Sequence, residues 1–85
     1  MKSLLIIEAK NSPEFLERLL RVCRHRGFTT TNINAETGNS QQTLHITITV
    51  ASERNISLLT KQIEKIVGVK QVATLQQEKN IKATA

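Results

Sequence analysis

The sequence contains neither tryptophan nor tyrosine, and Phe15 and Phe28 are its only aromatic residues. Sheets that bind single-stranded RNA stack bases on aromatic side chains of their central strands. Here those positions carry Thr43, Thr47 and Thr49, which argues against a nucleic-acid-binding module. The single cysteine, Cys23, excludes an internal disulfide and a cysteine-rich metal framework. It falls on the apolar stripe of a predicted helix, where a free thiol behaves as a small buried hydrophobe. No apolar run approaches the roughly 20 residues of a membrane span. The Met1-Lys2-Ser3 start with Leu4 to Ile7 is too brief for a secretory signal, so the expected compartment is the cytoplasm. The three glycines stand apart, which excludes a phosphate-cradling loop or a dinucleotide fingerprint. His25 and His45 have no cysteine or acidic residue at ligand spacing, and no metal site is expected. There is also no nucleophile beside a base and no convergent carboxylate pair, so catalysis by this chain is not expected.

What is present is enough for one core. A domain of 85 residues buries only about 60 to 65% of the surface its unfolded chain exposes, and pairing often completes so small a core. The formal charge is +5. Arg18, Arg21, Arg24, His25 and Arg26 gather at one helix and its end, whereas Lys61, Lys65, Lys70, Lys79 and Lys82 are dispersed. Such partial clustering falls short of the continuous basic surface that phosphate neutralisation requires.

Leu4 to Ala9 is a short apolar run whose length suits a strand buried on both faces. Pro13 at a first helical position and Ser12 as a cap predict that a helix opens there. Phe15, Leu16, Leu19, Leu20 and Cys23 recur at spacings of three and four, one apolar stripe against a sheet. Glu14 with Arg18 and Glu17 with Arg21 have the favourable acid-first order, each pair contributing about 0.2 to 0.5 kcal/mol. Arg24, His25 and Arg26 suit the negative end of the helix dipole, and Gly27 suits its left-handed stop. Phe28 to Ala35 reads as a strand with one polar side, and Glu36 to Gln42, with Gly38-Asn39, as a turn. Leu44, Ile46, Ile48 and Val50 then alternate with Thr43, His45, Thr47 and Thr49, a half-buried strand. Ser52 is the predicted cap of a second helix carrying Ile56, Leu59, Ile63, Ile66 and Val67, ended by Gly68. Val69 to Leu75 resumes a strand pattern. The domain is assigned to residues 1–77 and a flexible C-terminal tail to 78–85.

The order βαββαβ defines an α+β, ferredoxin-like sandwich: a four-stranded antiparallel sheet with both helices on one face. Many functions share it. The loop opening the first helix offers backbone amides at the positive end of a helix dipole, suited to a carboxylate.

The segment from Pro13 to Phe28, with Asn11-x-Pro13 before it and Thr49-Val50-Ala51-Ser52 later, resembles the ACT domain family and, within it, the short small subunits of acetolactate synthase. The resemblance runs from about Ile7 to Val72. It implies a non-catalytic regulatory subunit that binds and activates a large catalytic subunit of acetolactate synthase. That partner would use thiamine diphosphate, Mg and FAD in branched-chain amino acid biosynthesis, with no cofactor bound by this chain. A homodimer through the ACT domain is implied as well. Effector-binding relatives place a glycine in the first loop where Glu14 stands here. Asn11 matches a ligand-contacting asparagine of the longer small subunits, and a second such asparagine is Thr29 here. Asn11, Ser12, Glu14 and Thr29 are therefore the effector candidates. A carboxylate near the entry of a ligand carboxylate adds repulsion, so weak or absent valine feedback is expected. Arg21, Arg24, His25 and Arg26 are the candidates for contact with the catalytic partner. The alternatives are a free-standing amino-acid-sensing ACT domain and, ranked behind it on net charge alone, a basic nucleic-acid-binding module.

Overall fold

In the computed structural model, the residues described are 1–38 and 41–76. The proposed tail 78–85 and Asn39 of the turn lie outside them. The chain runs β1 (Lys2–Lys10), α1 (Phe15–His25), β2 (Thr29–Thr37), β3 (Thr43–Ala51), α2 (Ile56–Glu64) and β4 (Val69–Gln76). The strands form one antiparallel sheet in the order β2-β3-β1-β4, the ferredoxin-like arrangement read from the sequence.

Strand periodicity of two sets the layers. In β1 and β3, Leu5 lies opposite Ile48 and Ile7 opposite Ile46. These side chains, with Ala9, Leu44 and Val50, are buried in one cluster with Phe15, Leu19 and Cys23 of α1 and Leu59 and Ile63 of α2. Both helices thus cover the same face.

The opposite face of β1 departs from the expected double-sided burial. Ile6 remains 44% exposed, because its neighbours there are Thr47 and Ala73 and no element among the described residues packs over them. The second strand starts one residue later and runs two further than expected, while Phe28 joins the core. It is one of the two sheet edges, β4 being the other, with a register shift between Thr30 and Asn32. Ile33, on its inward side opposite Ile48, stays 38% exposed.

Helix ends differ most from expectation. Ser12 does not cap α1: its hydroxyl donates to Glu14 Oε1 at 2.6 Å, and Glu14 is the N-cap without a capping side-chain bond. Pro13 lies in the preceding turn, which closes through Phe15 N–H to the Ser12 carbonyl. Ser52 likewise accepts from the Arg54 amide, and the cap of α2 is Asn55, whose side chain accepts from Ser57 N–H at 2.9 Å. The C-terminus of α1 is as anticipated. Gly27 adopts φ +85, and the bonds Gly27 N–H to Arg24 and Phe28 N–H to Cys23 make a Schellman motif with Phe28 folded onto the core. The second helix ends earlier, at Glu64. Ile66 still packs on the core, but Val67 is 83% exposed in the turn. Gly68 (φ +101) shapes that turn so that its carbonyl accepts from Lys10 N–H.

Candidate effector loop and basic surfaces

The loop after β1 is closed by its own polar groups. Asn11 donates through Nδ2 to the Gln41 carbonyl at 3.0 Å and through its backbone N–H to the Gln42 carbonyl at 2.9 Å. The Ser12 hydroxyl, Glu14's own backbone N–H and the nearby Arg18 hold the Glu14 carboxyl below its usual range, in that order of importance. A carboxylate of the chain thus stands at the start of α1, where an incoming carboxylate would meet the helix amides.

Thr29 is not part of this loop. It pairs with Ala51, which pairs with Lys2, whereas Asn11 follows Lys10, the partner of Thr43. Eight strand positions separate the two ends, roughly 26 Å at the usual rise. A single chain therefore gathers Asn11, Ser12 and Glu14 but not Thr29.

The four basic candidates also divide. Arg26 donates to Gln62 Oε1 at 3.1 Å, tying the end of α1 to α2. Arg24 and Leu20 line a hollow of about 470 Å³ beside Phe28, Thr29 and Thr30 at the β2 edge. Arg21 borders a different groove of about 430 Å³ with Arg18 and Lys65 over Val22, Ile66 and Val67. It also shares a shallow depression with Leu20 and Arg24. His25 is exposed and lines none of these hollows. The anticipated Glu17–Arg21 pair does not close among the described residues, nor does any carboxylate there form an ion pair with Arg24 or Lys65. Lys65, one of the dispersed lysines in the sequence, joins Arg18 and Arg21 only through the fold. The sequence signal for the groove is the Arg18, Arg21, Val22 spacing on one helix flank.

Burial pushes the Cys23 thiol up to about 11, partly offset by hydrogen bonds with Thr30 and its own backbone. Among the described residues, no group of three or more His, Cys, Asp or Glu is placed to hold a metal ion, and no helix is long and apolar enough to cross a membrane.

The sheet order and the single helical layer define a ferredoxin-like α+β domain. An ACT domain profile matches residues 11–72, and the chain belongs to the ACT domain family. It is 44% identical over 70 residues to the acetolactate synthase isozyme 2 small subunit of Escherichia coli (strain K12), covering 82% of this chain and 80% of that protein. The same figures hold for the protein of that name from Shigella flexneri. Among solved structures, the acetolactate synthase small subunit from Thermotoga maritima superposes with TM-score 0.78 at 20% identity, over 94% of this chain and 50% of that one. The ACT domain of GTP pyrophosphokinase from Chlorobium tepidum superposes with TM-score 0.75 at 12% identity, over 88% and 97% of the two chains. These structural likenesses concern the fold.

Proposed function

We propose that the chain is the regulatory small subunit of an acetolactate synthase in branched-chain amino acid biosynthesis. The observation that carries this reading is the 44% identity to small subunits of that name across four-fifths of both chains. The chain contributes no reacting group. It binds and activates a large catalytic subunit in the cytoplasm, and that subunit supplies thiamine diphosphate, magnesium and FAD. The basic end of α1, with Arg21, Arg24, His25 and Arg26, belongs to the surface offered to the partner, since Arg makes paired bonds to carboxylates at interfaces.

The chain acts as a homodimer. The free edge of β2 and the half-exposed Ile33 and Leu20 support pairing of two β2 edges, because an exposed strand edge is a template for another strand. Antiparallel pairing of two β2 strands brings Thr29 of the second copy to the end of the sheet where Thr37 pairs with Leu44, the end that carries Asn11. In such a dimer Asn11, Ser12 and Glu14 of one copy lie at the same end of the paired sheets as Thr29 of the other, which supports this pairing as the one that gathers the effector candidates. The Glu14 carboxylate already occupies the loop, which supports weak or absent response to valine.

The test is co-expression with the large subunit of an acetolactate synthase isozyme 2. Co-purification and a rise in acetolactate formation over the large subunit alone are expected. Separation of the two chains with unchanged activity overturns the reading.

A further inference from the structure

On the helical layer, the groove between α1 and the α2–β4 turn combines an apolar floor with a cationic rim. Val22, Ile66 and Val67 form the floor, and Arg18, Arg21 and Lys65 the rim. Past Arg18 and Val67 it meets a second hollow of about 270 Å³ whose lining is mixed in charge, with the Glu14 carboxylate beside Lys10 and Gly68, so the wholly cationic stretch is the part between Arg21 and Lys65. Two features mark the rim as unfinished. Neither Arg21 nor Lys65 has an ion-pair partner among the described residues, and Arg18 is opposed only through its influence on Glu14. Val67 is 83% exposed between these charges, an apolar side chain at a turn whose backbone is held by the Gly68 to Lys10 bond.

Arg21, which also borders Leu20 and Arg24, stands between the groove and the β2 edge, and the rest of the groove lies on the far side of α1. On α1, Arg18 and Val22 lie about 200° around the axis from Leu20 and Arg24, which flank that edge. Pairing of two β2 edges therefore leaves the Arg18 and Val22 side of the groove open.

Resting on the assignment above, we propose that this groove docks an acidic segment of the catalytic subunit, in which carboxylates flank one aliphatic or aromatic side chain. The carboxylates meet Arg18, Arg21 and Lys65, and the apolar side chain covers Val67 and Val22. Charge complementarity selects this occupant, since a cationic rim leaves no favourable place for a basic or uncharged segment. Arginine's planar fork gives a carboxylate at Arg18 or Arg21 a paired bond while Lys65 acts as a point charge, and an apolar centre inside a polar rim is the usual anatomy of a protein interface.

The experiment titrates the catalytic subunit with wild-type chain and with three variants, reading activation and direct binding at several salt concentrations. Arg21→Glu combined with Lys65→Glu should raise the dissociation constant by about thirtyfold and flatten its salt dependence. Val67→Asp, at an exposed turn, should raise it about tenfold with no change in unfolding midpoint. Lys2→Glu, an exposed charge reversal on the uncovered side of the sheet, should change it less than twofold. Loss confined to the groove variants supports the proposal. Equal loss with Lys2→Glu, or wild-type affinity in both groove variants, overturns it. Altered sedimentation of the isolated groove variants also overturns it, because the groove would then serve the pairing of this chain with itself. Failure of the wild-type chain to bind at all refutes the small-subunit assignment instead.

Discussion

Two adjacent leucines on α1 separate what holds one chain together from what joins two. Leu19 is fully buried between the helices and the sheet, whereas Leu20 is 39% exposed beside the β2 edge. Leu19→Ala removes a buried side chain and leaves a cavity, costing about 3 kcal/mol. A domain of 85 residues has roughly 4 to 13 kcal/mol in all, so this variant loses a large share of it at every protein concentration. Leu20→Ala gives up about 1 kcal/mol of burial in a dimer interface. A two-fold contact uses both copies, giving about 2 kcal/mol per dimer, or roughly a thirtyfold weaker association. Urea unfolding over a hundredfold range of concentration, with sedimentation at micromolar chain, distinguishes the two. Leu19→Ala should lower the midpoint equally throughout, and Leu20→Ala should convert dimer to monomer at low concentration. A dimer of unchanged affinity in Leu20→Ala would refute β2-edge pairing with α1 alongside. Concentration-independent loss of equal size in both variants would refute the assignment of Leu20 to that surface.

Cys23 should resist thiol reagents near pH 8 until the chain unfolds, as followed by absorbance with and without denaturant. Its folded pKa of about 11 exceeds the unfolded value of about 8.5. The associated stability is therefore fully present below about pH 8.5 and declines as pH rises towards the folded value, measurable as a falling urea midpoint. Replacing the α2 cap in Asn55→Ala should cost about 1 kcal/mol, whereas Ser52→Ala should cost less in the same melts. An equal or reversed ranking would place the cap at Ser52. Calorimetry with millimolar valine should yield little heat in the wild-type chain, and a low-micromolar dissociation constant would mean that the Glu14 loop admits the ligand after all.

By itself the sequence determined the element types and their order, the inward set of β3, the stop at Gly27 and the apolar stripe of α1 save Leu20, which the fold leaves 39% exposed. These follow from repeats of two or three to four residues and from one glycine's left-handed backbone, all local properties. The family resemblance was legible for the same reason, since it rests on a contiguous segment, Pro13 to Phe28. Cap choice was decided by competition among neighbouring hydrogen-bonding groups: Ser12 turned to Glu14, and Asn55 took the place expected for Ser52. Only the tertiary structure decided which surfaces remain uncovered. Ile6 looks like a core residue in its apolar run, yet helices on one side of the sheet leave it half-exposed. Arg21 and Arg24 are three residues apart, yet one borders the groove with Lys65 and the other the β2 edge. Thr29 and Asn11 lie at opposite ends of the sheet because antiparallel register, a long-range property, places Ala51 beside Lys2 and Thr43 beside Lys10.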